Sequence, residues 1–257
     1  MQRTAIVTGA SRGIGYHTAL QLLDLGFAVT ITGRSEESLR KAQDSLSSHG
    51  SVTTLAFDAS DIELTRQLLS PIGADVLIAN VGIGFSGSIM KTTVEEWNSV
   101  LANNVTSAFV AMQCVIPGMI ERGWGRIVTV GSMASHLPIR GGVAYTASKH
   151  ALLGLTRAVA LDTKGTGVTV NMVAPAFVRT DMTSENVERI VAASGLSSEG
   201  AEQKLAALSP LNRLLEPEEV AAAIVLFVRD EFRGVTGSSL PMGFESADSK
   251  PDGHVSS

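Results

Sequence analysis

Cysteine is almost absent from this sequence, and charged and aromatic residues are scarce. Cys114 is the one cysteine among 257 residues, so an internal disulfide is impossible and a cysteine-based metal site is not expected. Charged residues make up 18% of the chain and the net charge is −5. Because no basic stripe follows the chain, a nucleic-acid partner is not expected. The five histidines are scattered without ligand spacing, so the sequence predicts no metal site.

Long hydrophobic runs are also missing. The longest strongly apolar run, Val220–Val228, is too short to span a bilayer, and the N-terminus has no apolar core behind a basic end. These features predict a soluble, cytoplasmic protein with no membrane partner and no signal peptide. Hydrophobic residues nevertheless make up 44% of the chain, which is enough for one large core.

Short β-branched runs alternate with amphipathic helical patterns. The predicted strands are 4–8, 28–32, 52–57, 75–79, 126–130 and 168–173, and the predicted helices are 14–25, 35–48, 61–70, 95–122, 144–164 and 217–229. Nearly continuous apolar strands, each followed by a helix, are typical of a parallel sheet covered on both faces. With right-handed crossovers this predicts an α/β fold, a single-domain Rossmann-type doubly wound parallel sheet.

Two regions interrupt the alternation. Residues 182–215 are helical and mixed in polarity, and we expect the part at 182–209 to form a helical substrate lid. Residues 245–257 form a polar C-terminal tail that should be frayed. The predicted domain is therefore 1–244, with the lid inserted.

Three glycines follow the first strand and precede the first helix. Gly9, Gly13 and Gly15 lie where the backbone must turn tightly and approach a pyrophosphate, which the helix N-terminus attracts. A structural turn is the alternative interpretation of glycines alone, but their position between a strand and an amphipathic helix favours dinucleotide binding.

The end of the second strand indicates which dinucleotide binds. Gly33 takes the position of the carboxylate that would hold the ribose hydroxyls of NAD, and Arg34 comes next. Arg12 lies within the glycine loop. A guanidinium suits a 2′-phosphate, so the predicted cofactor is NADP(H). The alternative is that Arg34 is a solvated residue at a helix start, beside Glu36 and Glu37.

The stretch VAYTASKHALLGL places a phenol and an ammonium on one helix face. Tyr145 and Lys149 are four residues apart, hence one turn apart in a helix. A nearby ammonium favours the phenolate, so we expect it to lower the pKa of Tyr145 from its reference value near 10. An ordinary surface pair is the alternative for an isolated helix.

With both motifs in hand, the chain resembles the short-chain dehydrogenase/reductase family over nearly its whole length. The motifs that carry the resemblance occur in order: TGxxxGxG at 8–15, Asp58 after the third strand, NVG at 80–82, Asn104, Ser132, YxxxK at 145–149 and NMVAPAFVRT ending at Thr180. Within this family, the chain most resembles members of the β-ketoacyl reductase and hydroxybutyrate dehydrogenase types.

The resemblance implies a catalytic tetrad of Asn104, Ser132, Tyr145 and Lys149. For ketone reduction, Tyr145 would act as general acid and Ser132 would stabilise the carbonyl oxygen. Lys149 would also hold the nicotinamide ribose, and Asn104 would anchor a water. The implied cofactor contacts are Gly9, Ser11, Arg12, Gly13, Ile14, Gly15, Arg34, Asp58, Ala59, Asn80, Val81, Gly82, Tyr145, Lys149, Pro175, Val178 and Thr180.

The chain departs from the family pattern at three points. NNAG is replaced by ANVG, with Ala79 and Val81, and Pro-Gly is replaced by Pro175–Ala176. The late Gly-Gly is replaced by LPMGFES, which leaves the contacts of the C-terminal strand open. None of these changes touches the tetrad.

A mostly apolar cleft mouth is expected beside the tetrad. Its predicted residues are Gly84, Phe85, Met133, His136, Leu137, Pro138 and Arg140, with the lid. Arg140 suits a carboxylate or phosphopantetheine, or it is a solvated rim residue.

Three functions follow from these observations. The first is an NADP(H)-dependent oxidoreductase that reduces a ketone to a secondary alcohol. A β-ketoacyl compound is one candidate for the ketone. The second is an NAD-dependent secondary alcohol dehydrogenase, and the third is a non-catalytic dinucleotide-sensing protein. The resemblance also implies a homo-oligomer, a tetramer or a dimer, paired through 95–122 and 144–164.

Overall fold

Seven strands form one parallel sheet in the computed structural model, which describes residues 2–244. The strands are β1 (Thr4–Val7), β2 (Ala28–Gly33), β3 (Val52–Ala56), β4 (Val76–Ala79), β5 (Gly125–Val130), β6 (Val168–Pro175) and β7 (Ser239–Met242). Their order is β3-β2-β1-β4-β5-β6-β7, so the direction of winding reverses between β1 and β4. The predicted doubly wound fold is confirmed, and loops after the strands meet in a crevice at that reversal.

Nine α-helices of the described chain cover the sheet and its carboxyl edge. They are α1 (Gly13–Asp24), α2 (Glu36–Leu46), α3 (Ile62–Leu69), α4 (Val94–Leu101), α5 (Ser107–Glu121), α6 (Val143–Asp162), α7 (Asp181–Ser194), α8 (Ser198–Ala206) and α9 (Pro217–Leu226). Side-chain caps help to set where several begin. Ser35 accepts a hydrogen bond from the amide of Ser38, and Thr93 forms a capping box with Glu96.

The strands divide their side chains between two core layers. In β1, Ala5 and Val7 pack with the apolar faces of α1, α2 and α9, whereas Ile6 points to the layer under α3, α5 and α6. β5 and β6 are buried along their whole length, as expected for strands covered on both faces. This two-sided burial explains why the strands read as continuous apolar runs.

The predicted helix 95–122 contains an irregularity. The helical conformation is continuous from Val94 to Glu121, but Ala102–Thr106 forms a π-helical turn between α4 and α5. By length and hydropathy this 28-residue helix is the one candidate membrane span within residues 2–244. It packs as a core helix instead, because Met112, Val115 and Met119 are buried against the sheet.

Two further differences concern the C-terminal third. The apolar pattern does not predict the strand β7, although the resemblance implies a C-terminal strand there; β7 pairs with β6 over Met172–Pro175. The helical region predicted at 182–215 consists of α7 and α8, followed by turns up to α9. The predicted tail, 245–257, lies outside the described residues.

Candidate active site

The glycine loop leaves the N-terminus of α1 open. Gly9 and Gly13 have φ values of +64° and +57°, the left-handed region that side chains avoid. A Cβ on Gly15 would lie 2.7 Å from the carbonyl oxygen of Gly9. Arg12 precedes α1 with extended backbone, and no side chain caps the helix. The loop therefore offers free amides and room for the close approach of an anionic group.

Asn80 braces this loop from the neighbouring strand. Its Nδ2 donates to the carbonyl oxygens of Thr8 and Gly9, at 3.0 and 2.9 Å. The amide of Asn80 donates in turn to the hydroxyl of Thr8 at 3.0 Å. The side chain of Asn80 therefore supports the loop, and its contact with a ribose stays a prediction.

The crevice holds a cleft of about 640 Å³ along the carboxyl ends of the strands. The predicted residues that line it are Gly9, Ser11, Arg12, Gly13, Ile14, Arg34, Asp58, Ala59, Asn80, Val81, Gly82, Gly84, Ser132, Tyr145, Lys149, Pro175, Val178 and Thr180. Gly15 and Asn104 do not line it, because both lie behind its wall. Of the predicted mouth, Gly84 belongs to this lining, and so do Met182, Thr183 and Glu185 from the start of the predicted lid. Phe85, Met133, His136, Leu137, Pro138 and Arg140 do not.

At the end of the cleft beside β2, Arg34 lies next to two serine hydroxyls. Ser35 and Ser38 line the cleft beside it, and neither was predicted from the sequence. Hydrogen bonds from Ser60 lower the pKa of Asp58, and the charge of Arg34 adds to this effect. A single strand-to-helix turn therefore presents one guanidinium and two hydroxyls, groups that suit a phosphate.

Ser132 and Tyr145 meet at the other end of the cleft. Ser132 follows β5, and its hydroxyl accepts a hydrogen bond from the amide of Ala134 at 3.1 Å. Its side chain also hydrogen-bonds that of Tyr145, in the first turn of α6. Burial raises the pKa of Tyr145, and this bond to Ser132 opposes the rise. The predicted lowering of this pKa by Lys149 is wrong: the pKa is raised because the phenol is removed from solvent, and the group that opposes the rise is Ser132, not Lys149.

Lys149 is buried one turn below Tyr145. Its Nζ donates to the carbonyl oxygen of Val130 at 3.0 Å and lies 5.7 Å from the centre of the Tyr145 ring. Burial lowers the pKa of Lys149 to about 8. A Cβ on Gly82 would lie 3.4 Å from Nζ, so the glycine keeps this approach open. Lys149 therefore remains a cation at neutral pH and faces the cleft.

Asn104 is fully buried in the π-helical turn, behind the other three. Its Oδ1 accepts from the amide of Ile83 at 2.7 Å, while Nδ2 donates to the carbonyl of Ile83 and the hydroxyl of Ser148. Ser148 in turn donates to the carbonyl of Tyr145 at 2.8 Å. The side-chain amide thus ties the loop after β4 to α6. The neighbouring Asn103 lines the cleft and Asn104 does not.

The altered C-terminal motif still closes the sheet. Gly243 has a φ of +73°, and a Cβ there would lie 3.4 Å from the Cβ of Ala176. His136, after β5, makes a 2.8 Å hydrogen bond to Ser239 on β7 and packs near Phe244. The contacts left open by the sequence are therefore to β6 and to the loop after β5. No cluster of three metal-binding side chains occurs within residues 2–244.

A family model described as short chain dehydrogenase matches residues 3–190. The chain belongs to the short-chain dehydrogenase family. It is therefore an oxidoreductase that acts on the CH–OH/C=O pair, and the predicted family is confirmed. The ordered motifs of this family predicted most of the residues that line the cleft, but not Ser35, Ser38 and Asp181, which belong to no such motif.

Similar proteins include reductases and dehydrogenases. The 3-oxoacyl-[acyl-carrier-protein] reductase FabG of Vibrio cholerae is 34% identical over 243 residues, 93% of this chain and 94% of the relative. The D-beta-hydroxybutyrate dehydrogenase of Cupriavidus necator is 31% identical and covers 92% and 94%. The crystal structure of a single-residue variant of actinorhodin polyketide ketoreductase with NADPH has a TM-score of 0.90 at 30% identity, covering 94% and 96%.

Proposed function

We propose that this short-chain dehydrogenase is a reductase of β-ketoacyl-type ketones, with Tyr145 as general acid and NADP(H) as cofactor. The observation that carries the proposal is the Ser132–Tyr145–Lys149 arrangement at one end of a cleft whose other end presents Arg34. The similar ketoreductase crystallised with NADPH, and the relatives named as 3-oxoacyl reductases, support the ketone and the cofactor. The substrate lid at 182–209 remains part of the proposal.

The residues present fit a dinucleotide phosphate. The open α1 N-terminus and the Gly15 site, which a Cβ would block, suit a pyrophosphate. Arg34, Ser35 and Ser38 would hold the 2′-phosphate, and Lys149 would hold the nicotinamide ribose. The bound cofactor supplies the hydride, and the protein supplies orientation and the proton.

The roles of the three side chains follow from their contacts. Tyr145 donates its phenolic proton to the carbonyl oxygen, and its raised pKa keeps that proton in place at neutral pH. Ser132, which shares a hydrogen bond with Tyr145, stabilises the charge that develops on the same oxygen. The Lys149 ammonium stabilises the phenolate left behind, because it is buried and close to the ring.

Replacing Tyr145 by Phe tests the acid role. We expect kcat/KM for 3-oxoacyl thioesters with NADPH to fall about 100-fold or more, because the proton donor is lost. Fluorescence titration should show unchanged NADPH affinity. Tyr16→Phe is a matched control, because Tyr16 is the only other tyrosine and its hydroxyl bonds Ser45 away from the cleft. An undiminished rate in Tyr145→Phe would reject the assignment.

Two alternative functions predict different results when the enzyme is assayed with alcohols and ketones and with both cofactors. An NAD-linked alcohol dehydrogenase would turn over secondary alcohols faster with NAD⁺ than with NADP⁺. A dinucleotide sensor would bind NADPH yet reduce no member of a ketone panel. The glycine at the end of β2 and the neighbouring Arg34 favour NADP(H) over NAD(H).

A homo-oligomer paired through the continuous helix of α4 and α5, predicted as 95–122, and through α6, predicted as 144–164, is also part of the proposal. The outward residues of α5 include Phe109 and Ile120, each 42% exposed, and those of α6 include Ala151, Gly154 and Leu161. Small residues on α6 would let two helices approach closely. The cytoplasm remains the predicted location.

A further inference from the structure

An ion pair joins the glycine loop to the first residue of α7. Arg12 Nε lies 2.8 Å from a carboxylate oxygen of Asp181, and both residues line the cleft. We propose that Asp181 is a cofactor-retaining residue: with Arg12 it forms a clasp across the cleft that slows dissociation of the bound dinucleotide. This inference rests on cofactor binding alone and not on the ketone or on the role of Tyr145.

The sheet topology shows that the clasp crosses the cleft. Arg12 follows β1 and Asp181 follows β6, and β4 and β5 lie between these two strands. Neighbouring strands are about 4.8 Å apart, so the two chain segments start about 14 Å from each other. The loops nevertheless converge, because a Cβ on Gly13 would lie 3.3 Å from Thr180. The clasp therefore joins opposite walls.

The charges of the clasp suit a pyrophosphate beneath it. Arg12 directly precedes Gly13, at the helix terminus that would receive the phosphates. Its ion pair uses Nε, which leaves the terminal nitrogens of the guanidinium to face an anion. Arg12 would then lie between two negative groups, the cofactor and Asp181. Asp181 thereby holds the guanidinium over the cleft.

The ion pair of the clasp is exposed to solvent and therefore weak enough to break. The side chains of Arg12 and Asp181 are 72% and 64% exposed, so water and salt weaken the pair. Arg179 anchors the preceding segment through Glu202 and Glu216, while Met182 packs on Gly84. The start of α7 is thus held on both sides, and the Arg12 pair is its link to the cofactor loop.

Asp181→Asn tests the clasp through the release rate of the dinucleotide, measured by stopped-flow displacement. We expect release of NADPH and of NADH to accelerate by the same factor, about two- to fivefold, the effect of losing an exposed ion pair. The two factors should agree because the pyrophosphate is common to both cofactors. Added salt should accelerate release more in the wild type than in the variant, and Asp181→Glu should restore slow release.

Glu185→Gln is the matched control. Glu185 lies one turn further along α7, also lines the cleft, and pairs with Arg189 at 3.6 Å instead of Arg12. Its loss removes the same charge but leaves the clasp intact, so release should stay unchanged.

Three results would overturn the proposal. Unchanged release in Asp181→Asn would mean that the pair does not retain cofactor. Tighter binding of NADPH alone would mean that Asp181 competes with the 2′-phosphate for Arg12. Equal acceleration in Glu185→Gln would indicate a general charge effect. A functioning clasp combined with an active Tyr145→Phe enzyme would reject the catalytic proposal only.

Discussion

At the scale of the residue, burial of the Lys149 ammonium lowers the free energy of unfolding. It is 4% exposed, and its ammonium has the carbonyl of Val130 as hydrogen-bond partner. Burial disfavours the charged form and lowers its pKa from 10.5 to about 8. The folded protein therefore holds a proton on this group less tightly than the unfolded chain does. Burial of this ammonium therefore opposes the stability of the fold.

Replacing Lys149 by Met should relieve this cost. Unfolding takes up a proton between the two pKa values, so the wild type gains stability as pH rises from about 8 to 10.5 and is penalised below about 8. The penalty is about 3 kcal/mol, from 1.36 kcal/mol per pKa unit. Loss of the hydrogen bond to Val130 would lower the stability of the variant by about 1 kcal/mol. Urea unfolding near neutral pH should therefore show Lys149→Met more stable by about 2 kcal/mol.

The same measurement near pH 10 provides the check, since the advantage should shrink there. Lys204→Met is the control, because Lys204 is exposed on α8 and its removal relieves no burial of a charged group. An advantage that stays constant with pH would contradict the burial argument.

Residue spacing predicted which side chains meet, but not their titration. Tyr145 and Lys149 share a helix face because they are four residues apart, and this is a local property. The direction of the pKa change of Tyr145 depends on burial by segments distant in sequence. The pairing of Asp181 with Arg12, 169 positions earlier, was likewise beyond local pattern.

At the scale of the element, the turn between β1 and α1 depends on the absence of one side chain. Gly15→Ala would place a Cβ 2.7 Å from Asn80 Nδ2 and from the Gly9 carbonyl, and 2.8 Å from the Cα of Ala10. Two of these neighbours are backbone, so the loop itself must shift. We expect NADPH affinity to fall at least about tenfold and stability to drop by about 1–3 kcal/mol, as for overpacking.

Isothermal titration and urea unfolding would measure both effects. Gly234→Ala is the comparison, because no atom lies within 4 Å of a Cβ there and the site is exposed. It should leave binding and stability unchanged. A Gly15→Ala protein with normal NADPH affinity would show that the loop tolerates the shift.

Two elements escaped the sequence pattern for physical reasons. Apolar periodicity continues from α4 into α5, so it does not reveal the extra residue in the π-helical turn at Ala102–Thr106. The strand β7 has only four residues and contains Pro241, which an edge strand tolerates but which disfavours a strand prediction.

At the scale of the whole molecule, alternation of strands and helices was sufficient to predict the doubly wound sheet. Each parallel crossover needs a helix, and the handedness of the crossovers then limits the order of strands. The contacts made by the outer surface cannot be predicted in the same way. A buried core face and a subunit interface have the same composition in sequence, so pairing through α5 and α6 stays a prediction.

Leu161→Arg tests that pairing. Leu161 is 71% exposed at the end of α6, and a charge there should separate subunits that bury it. We expect light scattering to show a tetramer or dimer for the wild type and a smaller species for the variant. Leu208→Arg, at a residue 62% exposed beyond α8, should keep the wild-type mass. A monomeric wild type would contradict the prediction.

The position of β7 has a consequence for the newly made chain. The strands from β1 to β6 can assemble as they emerge, but the bond between His136 and Ser239 must wait for the last part of the sequence. The loop that carries Ser132 therefore gains its outer support only near the end of synthesis. The other end of the cleft waits as well, because α1 and β1 pack against α9, which also belongs to the last part of the sequence. Neither end is therefore fully supported before the C-terminal elements have been made.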